Sequence, residues 1–290
     1  MLKGMSLSLP AAVGLSLANS AMAQTSTPDA MVSKVSTPSS PIDYSFYDTI
    51  IKKVAVKKGG RPRLAYDFIR KQENDFVGNY VAELAGQDIS NLSKNDQLAY
   101  WLNVQNIVTV DAILKDGKGK RSLKKLRGTG MAPGKLWTKP RVTIAGQNMS
   151  LQDIEAKLLT EFDNPNIIYG LYQGVRAGPS LTSEAYRGAT VNDMLAKNAK
   201  RYVNSKGIVA VKGDVVKVTP IFMWYQEAAF GGKDVALTEH LKAYAYPNLK
   251  SALYGGKSYE VSSLNYRLDN YDIPKASDQN ASRGGGGYGS

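Results

Sequence analysis

The sequence predicts an α+β fold in a single domain, with a helical N-terminal half packed on a small, mainly antiparallel sheet. Three observations carry that prediction. Apolar residues recur at helical intervals from Tyr44 to Leu84, an almost wholly apolar run follows in NDQLAYWLNVQNIVTVDAIL (95–114), and alternating strand patterns enter only from RVTIAG (141–146) onward.

Each element follows in order. The chain opens MLKGMSLSLPAAVGLSLANSAMAQ, with Lys3, a short run of small and apolar residues and an Ala21-Met22-Ala23 cleavage pattern. This is the composition of a secretory signal peptide over 1–23, and it predicts cleavage after Ala23 and a periplasmic or secreted product. The run is too short and too weakly apolar for the roughly 20 residues a spanning helix needs, so no transmembrane span is expected. Its removal leaves 267 residues. Residues 24–41, rich in Ser, Thr and Pro, read as a flexible lead-in.

The folded domain is expected over 42–273. YSFYDTIIKKVAV reads as a helix, KKGGRPR as a break, and LAYDFIRKQENDFVGNYVAELAG as a second helix stopped by Gly86. Ser93 and Asp96 have capping-box spacing ahead of the apolar run, and Asp116-Gly117 closes it. RVTIAG reads as a strand, Ser150 as the N-cap of the next helix, and IIYGLYQG (167–174) as a strand. VNDMLAKNAKRYVN reads as a helix, GIVAVKGDVVKVTP as a hairpin around Lys212-Gly213-Asp214, and TEHLKAYAY as a polar-flanked helix that gives His240 a structural place. Residues 274–290 form a Gly-rich tail expected to be disordered.

Composition removes several chemistries. No cysteine occurs, which excludes a thiol nucleophile, an Fe–S cluster and cysteine-ligated zinc, and His240 is the sole histidine. No metal site or cofactor is expected. The net charge is +12, concentrated in residues 115–141, where ten Lys and Arg face only Asp116. A solvated connecting segment accounts for such a run; weak, salt-sensitive polyanion binding is its functional reading.

The apolar run raises a further question, because Asn103, Gln105 and Asn106 stand in its middle. An unpaired buried amide costs about 1–3 kcal/mol, so these groups should have partners, either backbone of neighbouring segments or a ligand in a cleft.

YWLNVQN resembles the FWxNxYN signature of the domain of unknown function 547 family, and SLQDIEAKLL resembles its SLxxIExxxL element. NPNIIYGLYQGVRAGPSLTSEAY, IFMWYQEAAF and VSSLNYRLDNY resemble further blocks of that family in the same order, from about Ile42 to Tyr271. Trp101, Asn103, Asn106, Ser150, Leu151, Ile154, Glu155, Gly174, Pro179, Leu181 and Tyr186 match its pattern. Gln105 stands where an aromatic is usual; Gln173 and Gly178 stand at cysteine positions, and Asp111, Ala156 and Ile168 at histidine positions. A Cys–His pair of the papain-like or transglutaminase-like kind needs a thiolate and an imidazole, and this chain supplies neither there.

With the signal-peptide composition of residues 1–23 and the scaffold motifs kept without thiol or imidazole, the expectation is an exported, non-catalytic domain that binds an envelope ligand or protein partner, with Asn103, Gln105, Asn106, Glu155, Gln173, Arg176, Ser180 and Tyr186 as candidate binding residues. The alternative is a hydrolase or transferase working through Glu155 and the Tyr186 hydroxyl.

Overall fold

A computed structural model describes residues 40–58, 61–73, 75–118, 120–128, 133–256, 258–262 and 266–269. The expected signal peptide, the lead-in as far as residue 39 and the Gly-rich tail lie outside the described residues. All described residues belong to one unit, 38–290.

Helix α1 (Ser45–Val54) runs straight into a hairpin of β1 (Ala55–Lys58) and β2 (Arg61–Leu64), in antiparallel register with Ala55 opposite Leu64. Most of the expected break at KKGGRPR is thus strand, Lys57 and Lys58 ending β1 and Arg61, Pro62 and Arg63 belonging to β2. The segment expected as one helix after Leu64 is two, α2 (Tyr66–Arg70) and α3 (Phe76–Ala85). Asp75 ends the interruption, because its carboxylate accepts from the Gly78 N–H and starts α3 anew.

Helix α4 (Lys94–Asp116) is the central pillar. The Ser93 hydroxyl accepts from the Asp96 N–H at 3.1 Å, and Gly117 ends the helix by donating to Ile113 O at 2.8 Å. Every residue from Leu98 to Ile113 is buried. A helix apolar on all sides must be surrounded, and α4 packs on α3, on α6 (Lys135–Thr138), on β3 (Pro140–Ile144), and on α7 (Leu151–Glu161) and α8 (Val191–Val203). Between α4 and α6 lies the one-turn helix α5 (Lys124–Arg127).

β3 pairs antiparallel with β4 (Gln147–Ser150), which leads directly into α7 through a full capping box between Ser150 and Asp153. The IIYGLYQG segment does not form the expected strand. Pro165–Tyr169 is a 3-10 turn, and residues 171–173 run on outside any sheet. The physical reason lies in α4, whose side chains satisfy the Tyr172 backbone where a neighbouring strand would. After α8, β5 (Val209–Lys212) and β6 (Val215–Val218) form the expected hairpin. Helices α9 (Pro220–Trp224), α10 (Gln226–Phe230), α11 (Asp234–Tyr244) and α12 (Pro247–Leu253) then cross over to β7 (Ser258–Val261), which joins β6 in parallel. Among the described residues the sheets are small, and two of the three are two-stranded antiparallel ribbons.

Residues 266–269 lie between the chain before α5 and the segment after Gln173. Leu123 N donates to Tyr266 O, Arg176 N to Arg267 O, and Asp269 N to Gly174 O at 2.8 Å. Gly174 has φ +66°, and a Cβ there would strike Ile113 Cδ1, so only glycine fits this turn.

Candidate functional site

Asn103, Gln105 and Asn106 of α4 are each tied to the backbone of a neighbouring segment, although Gln105 Oε1 is buried without a partner. A carboxamide carries the same donor and acceptor as a peptide group, and Asn103 uses both against one residue: its Nδ2 donates to Tyr186 O and its Oδ1 accepts from Tyr186 N, each at 2.9 Å. Asn106 Oδ1 accepts from Tyr172 N at 2.9 Å, while Gln105 Nε2 donates to Tyr172 O at 3.3 Å. Two irregular segments are thereby fastened to one helix.

Gln105 also reaches the centre of a buried polar cluster. Glu155, on the first turns of α7 and only 6% exposed, accepts at Oε1 from Gln105 Nε2 (3.1 Å), Trp137 Nε1 (2.9 Å) and Gln173 Nε2 (3.2 Å). Its Oε2 accepts from the Tyr225 hydroxyl at 2.8 Å. Burial, and next the Glu155 charge, hold the Tyr225 phenol well above its ordinary pKa, so it remains a donor.

On the other side of Gln173, Oε1 accepts from Arg127 Nε at 2.9 Å. The guanidinium, on a side chain of a residue only 5% exposed, packs against two indoles, 4.2 Å from the Trp137 ring centre and 4.1 Å from that of Trp224. Gln173 is therefore a neutral bridge between a buried cation and a buried anion, and each charge polarises the bond to the other. A half-exposed phenol, Tyr266, is raised by burial and lowered by Arg127.

The sequence-predicted residues fall into two groups. Asn103, Gln105, Asn106, Glu155 and Gln173 are buried; Gln105, Glu155 and Gln173 share the polar cluster, and the two asparagines hold its flanks. Tyr186 is buried with its hydroxyl accepting from Asn198 Nδ2 at 2.8 Å, so it stands in the Asn103 clamp and makes no contact with Glu155. Arg176 and Ser180 are half-buried beyond Val175. Asp111, at a histidine position of the resemblance, pairs with Lys115 at 2.9 Å while burial raises its pKa. His240 bonds the Tyr169 hydroxyl at 3.0 Å and stacks on its ring; burial lowers its pKa to about 4.

Arg127, Trp137, Trp224 and Tyr225 were not singled out by sequence reasoning. Arg127 lay hidden in the basic segment, where Lys118, Lys120, Arg121, Lys124, Lys125, Lys135 and Lys139 are exposed as a solvated run would be. Trp224 and Tyr225 belong to the IFMWYQEAAF block, which was the signal available.

A groove of about 710 Å³ opens elsewhere, between the end of α3, α4, the β3–β4 turn and α7, with Trp101 and Lys157 in its wall. Neither Glu155 nor Gln173 lines it. No group of His, Asp or Glu with metal-site geometry and no helix long and apolar enough to cross a membrane occurs among the described residues.

Residues 89–203 match a family model described as Protein of unknown function, DUF547. The chain contains a DUF547 domain. The match holds the α4 motif, the Ser150–Glu155 element and the block through Tyr186; Trp224 and Tyr225, which complete the polar cluster, come from outside it. No curated protein and no solved structure matches the chain.

Proposed function

We propose that this DUF547 protein is an exported envelope domain that binds a polar ligand or a protein partner without transforming it. The observation that supports this reading best is the position of Gln173. It occupies the cysteine position of the family resemblance, and its amide is fully engaged between Arg127 and Glu155. A carboxamide so held neither ionises nor attacks a carbonyl.

Glu155, the one carboxylate at the centre, is occupied at both oxygens. The sole histidine is bound to Tyr169 instead. In this reading the α4 amides, Glu155 and Gln173 hold the wall of the site, and Arg176 and Ser180 contribute to its half-buried rim. Export rests on the composition of residues 1–23.

The test uses the full chain expressed with its N-terminus intact. Mass spectrometry of the periplasmic product is expected to find Gln24 first. The mature protein, titrated calorimetrically with envelope peptides and glycans, is expected to give saturable heats with the added compound recovered unchanged. Turnover of a peptide, ester or amide at enzymatic speed, abolished by Glu155→Gln, would overturn the reading.

A further inference from the structure

The geometry points to an oxyanion-binding site at Arg127, built from its guanidinium fork and the Trp224 indole N–H, for a carboxylate or phosphate group of the ligand. The inference rests on the binding function proposed above and names the chemistry of its ligand.

The first ground is an imbalance of donors over acceptors. Arg127 makes one hydrogen bond among the described residues, from Nε to Gln173, and no ion pair; its two terminal nitrogens are left without acceptors. The Trp224 Nε1–H, on the ring stacked against that guanidinium, is buried with no partner. Buried polar groups are nearly always satisfied, and those that are not mark a missing partner. The Trp224 N–H is such a group, and its ring centre lies 4.1 Å from the guanidinium carbon; a ligand group made of acceptors would satisfy it together with the terminal nitrogens of Arg127.

The second ground is rigidity. Trp137 and Trp224 both pack on the guanidinium, with ring centres 4.2 and 4.1 Å from its carbon, and the Gln173 bond holds its Nε in place. A planar fork held this way matches the two oxygens of a carboxylate or phosphate, and its ordering entropy is lost on folding rather than on binding. Lysine could not reproduce it, being a point charge on a flexible stem.

The third ground is the field. Exposed Lys124, Lys125 and Lys135 stand on α5 and α6, the two short helices that carry Arg127 and Trp137. Glu155 balances the charge of Arg127 only through the Gln173 amide, so the terminal nitrogens keep their attraction for an anion. Such a setting draws anions toward the clamp. The basic segment is then a funnel for one oxyanion rather than a strip for a polymer.

Two of the three tryptophans in the chain form the clamp, so fluorescence reports on it. The full chain is titrated with sodium phosphate and, separately, sodium acetate at constant ionic strength set by chloride. A saturable change in tryptophan emission is expected, and the stronger of the two anions identifies the source as phosphate or carboxylate. Arg127→Lys is expected to weaken binding roughly tenfold or more, and Trp224→Phe severalfold, each by loss of charge-assisted or indole donors. Circular dichroism checks that both variants fold. A linear, unsaturable response in the parent, or one that Arg127→Lys and Trp224→Phe leave unchanged, overturns the inference. Saturable binding of a neutral envelope glycan without any oxyanion response would sink this site while leaving the binding function standing; turnover would sink the function and leave the anion site standing.

Discussion

Replacing Glu155 by leucine tests the buried cluster most directly. The carboxylate is the acceptor for Trp137 Nε1 at 2.9 Å and Tyr225 OH at 2.8 Å, whereas Gln105 and Gln173 have second acceptors in Tyr172 O and Leu171 O. Leucine therefore orphans two donors, at about 1–3 kcal/mol each. Relief of carboxylate desolvation offsets part of that sum, so a net loss of roughly 1–4 kcal/mol is expected. Glu155→Gln keeps one acceptor oxygen and should lose about 1–2 kcal/mol. Urea unfolding followed by tryptophan fluorescence measures both, and without cysteine no thiol oxidation disturbs the baseline. A leucine variant within about 0.5 kcal/mol of the parent, the range of ordinary surface changes, would refute the claim that this carboxylate organises the cluster.

Asn103→Leu strands both the N–H and the C=O of Tyr186 and should cost roughly 2–6 kcal/mol, with faster hydrogen exchange at the Tyr186 amide as the local readout. Gly174→Ala combines φ +66° with a collision at Ile113; a loss of about 2–4 kcal/mol in thermal or urea unfolding is expected from backbone strain and overpacking. For His240 the folded pKa, near 4, lies below the unfolded 6.5. Between those values the unfolded chain binds the extra proton, so stability falls as pH drops from about 6.5 to about 4 and this residue adds no further loss below that. The expected contribution is about 3 kcal/mol at most, from roughly 1.4 kcal/mol per unit, and His240→Gln should flatten that part of the curve.

Local chemistry made much of the fold legible. Ser93, Ser150 and Gly117 mark helix ends through bonds a few residues long, and the 209–218 hairpin is written in its alternation and its Gly213 turn. Residues 167–174 misled because their β-branched and aromatic composition suits an extended chain, while the partner that replaces a strand is a set of amides some 66 residues earlier. The same distance hid half of the polar cluster. Glu155 and Gln173 could be picked from the family pattern, but Arg127 carries no mark that separates it from the neighbouring lysines, since its burial comes from two tryptophans at 137 and 224.

The pillar helix has one more consequence. A cylinder greasy on every side has no preferred azimuth: turned through an arbitrary angle it still hides its surface. Asn103, Gln105 and Asn106 remove that freedom, because only one rotation sets their amides against Tyr172 and Tyr186. With leucines at all three places the protein would be expected to remain collapsed but lose its single packing, giving broad methyl resonances where the native chain gives sharp ones.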